Sequence, residues 1–220
     1  SPLIQFALFC NRARISGLST SMIVSTVMMS PLIVGPFYLA RVVGLDPASV
    51  GLALAMGPLV AAVTGVPPGG LVEAFGAERG TLSGLSAMAA GTAALSTVPA
   101  GLGIAGYLVP IVVMTAGYGL FQAANNTALM AGTSPAERGV VSGMLNLSRN
   151  LGLVTGASAM GSVFAWGTSS ADLVSATPVA VAAGMHASFA MATILVGVSL
   201  IIAFRASRVY GQRRAVENAS

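Results

Sequence analysis

Gly117–Phe164 reads GYGLFQAANNTALMAGTSPAERGVVSGMLNLSRNLGLVTGASAMGSVF, and the fold turns on it. Two apolar runs are parted by TSPAE. Extended back to about residue 104 and on to about 166, each run exceeds the roughly 20 residues needed to cross a hydrocarbon core about 30 Å thick. Yet the first run holds Gln122, Asn125 and Asn126, and the second holds Asn146, Arg149 and Asn150. Amides and charges at that depth are costly, so a face that carries them is expected to be turned away from lipid.

Working outward, the rest of the chain has the same character. It has 220 residues, 55% hydrophobic and only 7% charged, with mean hydropathy +0.86. Soluble domains carry about 25% charged residues. The expected fold class is therefore all-α: a polytopic membrane protein of six transmembrane helices. A membrane β-barrel would show short alternating strands, and the sequence has none. The spans are placed at about 15–40, 47–72, 81–98, 104–130, 135–166 and 178–205, between a lead-in at 1–14 and a basic tail at 206–220. Local signals fix their ends. Asp46 precedes Pro47, SPAE at 134–137 has the form of a capping box, Thr177 precedes Pro178, and Pro99 stops the third span.

All ten basic residues are arginine, giving net charge +4. In a soluble chain that balance suggests nucleic acid. Here eight arginines (12, 14, 79, 138, 205, 208, 213 and 214) fall on one side of a six-span topology, and only Arg41 falls on the other. That asymmetry predicts both termini in the cytoplasm of a cell whose inner membrane holds the protein, with lipid and not nucleic acid as partner. Arg149 belongs to neither set.

Prolines 31, 36, 58, 67, 68 and 110 interrupt the spans. Glycine and alanine recur four apart at Gly139 and Gly143, Gly152 and Gly156, and Ala157 and Gly161, a spacing that lets helix backbones approach. Bent helices with small seams suit a bundle whose members slide.

Two further motifs carry a family resemblance. GGLVEAFGAERG, Gly69–Gly80, resembles the cytoplasmic loop motif of the major facilitator superfamily through Gly69, Leu71, Glu73 and Gly76, with Arg79 beside them. Ala74, Ala77 and Glu78 depart from it. The Gly117–Phe164 stretch resembles the last third of the fourteen-helix drug:proton antiporters (EmrB/QacA-like) in its G-x-G-x-F-Q, N-N and N-x-x-R-N-x-G-x-x-x-G runs. The opening LIQFALFCNRAR, from Leu3 to Arg14, resembles the segment before the ninth helix of that branch. The resemblance implies the C-terminal six-helix bundle of such a transporter, made of two inverted three-helix repeats. It implies as partners a missing N-terminal half, a small-molecule substrate and protons. The start at Ser1 agrees with a piece of a longer protein. The resemblance also implies that the first, second, fourth and fifth spans line a central cavity.

Met114, Tyr118, Gln122 and Asn125 fall on one helical face of the fourth span, with Asn126 beside it. Either that face lines the cavity or its amides knit the span to the fifth. Met29 in the first span suits an adaptable apolar pocket or plain packing. Asn146 and Arg149 share a face of the fifth span with Gly156, and Gly152 flanks it. Arg149 lies about 16 Å beyond Arg138 along the helix, deep enough to face water inside the bundle or to snorkel part of the way out. All six acids (Asp46, Glu73, Glu78, Glu137, Asp172 and Glu217) fall in loops, at span ends or in the tail. A proton-carrying carboxylate is therefore expected in the missing half.

Alternatives come from other classes. A half-length assembly protein that dimerises would use the same glycine seams. An intramembrane serine protease would pair a serine with His186, but its G-x-S-G motif is absent. No catalytic residue, cofactor or metal site is expected; Cys10 and His186 are single, so no cluster of metal ligands forms.

Overall fold

The structure is a computed structural model; it describes residues 12–64, 76–131, 133–169 and 176–217. The described residues are helical almost throughout, with no strand among them. The helices are α1 (Arg12–Met28), α2 (Ser30–Arg41), α3 (Pro47–Thr64), α4 (Ala77–Thr97), α5 (Gly103–Ala131), α6 (Arg138–Thr168) and α7 (Pro178–Glu217). A short 3-10 turn, Ala100–Leu102, joins α4 to α5.

Proline breaks the first span into two helices. Pro31 has no N–H to give the Val27 carbonyl, and the chain turns at Met29, whose N–H donates to Thr26 O at 3.3 Å. Beyond the break, Ile33 N–H donates to Met29 O at 3.1 Å and α2 proceeds. Asp46 caps α3, its Oδ1 accepting the N–H of Ala48 at 3.0 Å and of Ser49 at 3.2 Å. The Ser49 hydroxyl, with the Ser49 and Ala48 amides, holds the Asp46 carboxyl below its ordinary pKa. Thr177 caps α7, its Oγ1 accepting the Ala180 N–H at 3.3 Å.

The expected capping box at SPAE does not form. Pro135–Glu137 is a turn closed by Glu137 N–H to Ser134 O at 3.0 Å, and α6 begins only at Arg138, without a side-chain cap. The Glu137 carboxylate faces Arg14 instead, at 3.8 Å.

Three helical stretches are long and apolar enough to cross a membrane: Arg14–Arg41, Ala100–Ala131 and Pro178–Arg208. Pro47–Ala62 is a shorter apolar helix. Gly, Ala, Ser and Thr dilute the hydropathy of α4, and small or polar residues do so in α6.

Close backbone contact organises the packing. The most extensive pairing is α4 with α5. A Cβ on Gly84 would sit 2.7 Å from Gly117 O, and one on Gly117 would sit 2.7 Å from Gly84 O, so the two backbones touch and neither position has room for a side chain. On the other side, α1 rests on α6 at Gly152 and Gly156, where Thr26 Oγ1 donates to Gly152 O at 3.0 Å. α7 packs against α4, α6, α1 and α2. The interior is filled by large side chains such as Tyr38, Tyr107, Phe121, Phe164 and Phe189. The Tyr38 and Tyr107 rings stack at 5.8 Å.

The other expected small-residue seams are not made within this bundle. A side chain at Gly139, Gly143 or Gly161 would meet nothing within 4 Å, and Ala157 is exposed. Four-residue spacing states that a helix offers a groove, not that a neighbour fills it.

Candidate substrate pathway

The fourth span, α5, carries two kinds of polar position. Asn125 is buried, and its Nδ2 donates to Gly17 O at 3.2 Å and to Ser21 Oγ at 3.0 Å on α1. Its amide thus ties the fourth span to the first, where the sequence suggested the cavity or the fifth. Met114 is also fully buried, against Gly91 of α4. Tyr118, Gln122 and Asn126 are only half-buried. Packing makes the split: α4 covers Met114 and α1 covers Asn125. Each step of four residues turns about 400°, so the row 118, 122, 126 drifts by about 40° per step away from the meridian of Met114, Phe121 and Asn125.

Beside that row lies a cavity of about 200 Å³ between the first, second and fourth spans. Met28 and Leu32 line it from the first span, and Leu54 and Pro58 from α3. From α5 come Tyr107, Ile111, Thr115 and Tyr118. The walls are largely carbon. The Tyr107 hydroxyl is already engaged, donating to Pro31 O at 3.3 Å across the helix break. Met29 is half-buried at that break, while its neighbour Met28 reaches the cavity. The lining positions of α5 continue at the same spacing into Gln122 and Asn126. Together, 107, 111, 115, 118, 122 and 126 fill a single arc of about 100° on the helix.

At the far end of this row stands Arg149. Its Nη2 donates to Asn126 Oδ1 at 2.6 Å, joining α6 to α5. The arginine is half-buried. No described carboxylate pairs with it; Glu137 is taken by Arg14. Asn146 is exposed one turn earlier on α6. Asn125 and Asn126, adjacent in sequence, therefore hold α5 to two different neighbours.

Of the loop motif, Gly69, Leu71 and Glu73 lie outside the described residues. Gly76 precedes α4 at φ +87°, a left-handed conformation that glycine adopts freely, and its carbonyl accepts the Gly80 N–H at 3.0 Å. Arg79 is exposed. His186 Nε2 lies 3.0 Å from Val98 O, so its Nε2–H tautomer ties α7 to the end of α4. The sequence reading missed the Gly84–Gly117 contact, although Gly80 and Gly84 show the four-residue spacing. It also missed the cavity, which no periodicity encodes.

Kinked apolar helices around an apolar cavity, with a polar row leading to a half-buried arginine, make a bundle of the helical membrane class. The sequence profile of the Major Facilitator Superfamily matches residues 1–157, and the chain belongs to that family. It is 38% identical over 123 residues to the uncharacterized transporter YebQ of Escherichia coli strain K12, covering 56% of this chain and 27% of that one. It is 23% identical over 168 residues to the multidrug efflux pump LfrA of Mycolicibacterium smegmatis, covering 74% of this chain and 32% of that one. A crystal structure of the nucleoside transporter NupG superposes with TM-score 0.68 at 16% identity, over 92% of this chain and 50% of that one. The chain thus spans about a quarter to a third of these curated relatives and half of the NupG chain.

Proposed function

We propose that the chain is the C-terminal six-helix half of a fourteen-helix drug:proton antiporter, exporting small molecules by alternating access. On this reading α1 and α2 form the first span, and α3 to α7 the other five, arranged as two inverted three-helix repeats. On this reading both termini are cytoplasmic in the inner membrane, which the arginine asymmetry supports. The observation that carries the reading is the continuous row on α5 from an apolar cavity to Arg149, a charge held by a neutral amide. In lipid that arrangement is costly; beside a water-filled path it is not. Superposition on half of a transporter chain supports the half-bundle, and likeness to a protein named a multidrug efflux pump supports the substrate class. The rest of the protein then supplies the coupling carboxylate, since no acid of this chain falls within a span.

The test uses the full-length transporter in cells lacking their own efflux pumps. Export of fluorescent lipophilic dyes of cationic, neutral and anionic type is followed. At least one dye is expected to leave faster than from control cells, and collapse of the proton gradient is expected to stop it. No export of any dye at normal expression contradicts the proposal.

A further inference from the structure

We infer that the cavity between the first, second and fourth spans and the Arg149–Asn126 pair form one binding site, which takes amphipathic organic anions: an apolar or aromatic body carrying a carboxylate. This rests on the transport reading and narrows it to a substrate chemistry. Three observations carry it.

First, Arg149 is a charge without a counter-charge among the described residues. A guanidinium offers five N–H donors in a planar fork, and among the described residues its hydrogen bond goes to the Asn126 amide oxygen. Asn126 fixes the fork without neutralising it. The remaining donors are suited to a carboxylate, which they can grip at both oxygens.

Second, the neighbouring volume is apolar. Met28, Leu32, Leu54, Pro58 and Ile111 offer no hydrogen bond to a ligand from their side chains, so the cavity selects for area, not for polar groups.

Third, the two parts are contiguous on one helix. Tyr118 is the last α5 residue of the cavity wall, and Gln122 and Asn126 extend the same arc by about 12 Å to the arginine. A ligand that fills the cavity thus points its other end along a half-buried polar row toward an uncompensated positive charge. A cation of the same shape would meet Arg149 as a like charge.

A carboxylate for this arginine has two sources: the ligand, or the part of the transporter outside this chain. The ligand is the source inferred here, and the experiment separates the two. Purified full-length transporter is titrated with radiolabelled naphthylbutyrate, its methyl ester and the matching naphthylbutylammonium. The carboxylate is expected to bind about tenfold or more tighter than the ester, the size of one charge-assisted contact, and the ammonium weaker than either. Arg149→Gln is expected to remove the preference for the carboxylate over the ester. Leu54→Trp, which fills the cavity, is expected to weaken carboxylate and ester alike. Equal affinity for carboxylate and ester in the unsubstituted protein overturns the inference and assigns the arginine to a carboxylate of the transporter itself. Tighter binding of the ammonium overturns it as well, as does an Arg149→Gln protein that keeps the preference. Failure here is distinguishable from failure of the transport reading: dye export without any charge preference sinks only this inference, and selective carboxylate binding without export sinks only the other.

Discussion

Arg149→Ala in the full-length transporter is expected to abolish export while the protein still reaches the membrane. Arg149→Lys is expected to keep a minor part of the activity. Arg149 contacts Asn126 at 2.6 Å. That amide holds the guanidinium in one orientation, and charge-assisted contacts of this kind are worth about 1.5–3 kcal/mol, or roughly ten- to hundredfold in rate or affinity. Alanine loses charge and contact together. Lysine keeps a charge but presents a compact ammonium in place of a planar fork, so it can satisfy Asn126 or a ligand but not both in the same geometry. A snorkelling arginine with no role in the pathway gives the opposite pattern: lysine silent, and alanine tolerated or better inserted. Export rates normalised to membrane protein decide between them, and full activity of Arg149→Ala would remove the arginine from the pathway.

Gly156→Val is the second large effect, and it acts on folding. A Cβ at Gly156 would lie 2.5 Å from Thr26 O and 2.8 Å from Thr26 Cα. The obstacle is backbone, which cannot rotate away as a side chain would. Relief requires α1 and α6 to separate, which also strains the hydrogen bond from Thr26 Oγ1 to Gly152 O. Overpacking of this kind costs about 1–3 kcal/mol, which lowers the melting temperature by about 3–10 °C for a domain of this size. The expected outcome is a lower melting temperature in detergent and less protein in the membrane. Gly161→Ala is expected to melt with the unsubstituted protein, because a Cβ there meets nothing within 4 Å. Equal destabilisation by the two substitutions would contradict the seam.

What the sequence made legible was local. Asp46 with Pro47, Thr177 with Pro178, and Pro99 mark helix ends because each acts on backbone groups two or three residues away. SPAE forms no capping box, and the Glu137 carboxylate faces Arg14, more than a hundred residues distant in the chain. The polar row of the fourth span is legible in the sequence, but which neighbour covers each of its residues is not. Met114 and Asn125 share the arc of Tyr118 on a helical wheel, yet only three-dimensional packing shows that α4 covers the first and α1 the second. Glycine spacing likewise identified candidate seams without saying which are filled: Gly152 and Gly156 meet α1, while Gly139 and Gly143 meet nothing. The cavity was invisible because its walls come from three spans whose side chains are ordinary membrane residues.

The central claim is that the row through Gln122 lines a water-filled path between the cavity and Arg149. Cysteine labelling tests it most directly. Gln122→Cys and Met114→Cys are introduced separately into a cysteine-free full-length transporter and treated in membranes with a charged, membrane-impermeant maleimide, with a loop cysteine as positive control. Gln122, half-buried on the row, is expected to label and to be protected by naphthylbutyrate, while Met114, fully buried against α4, is expected to stay unlabelled. A Gln122→Cys protein that exports normally and stays unlabelled from both sides of the membrane, while the loop control labels, would contradict the account.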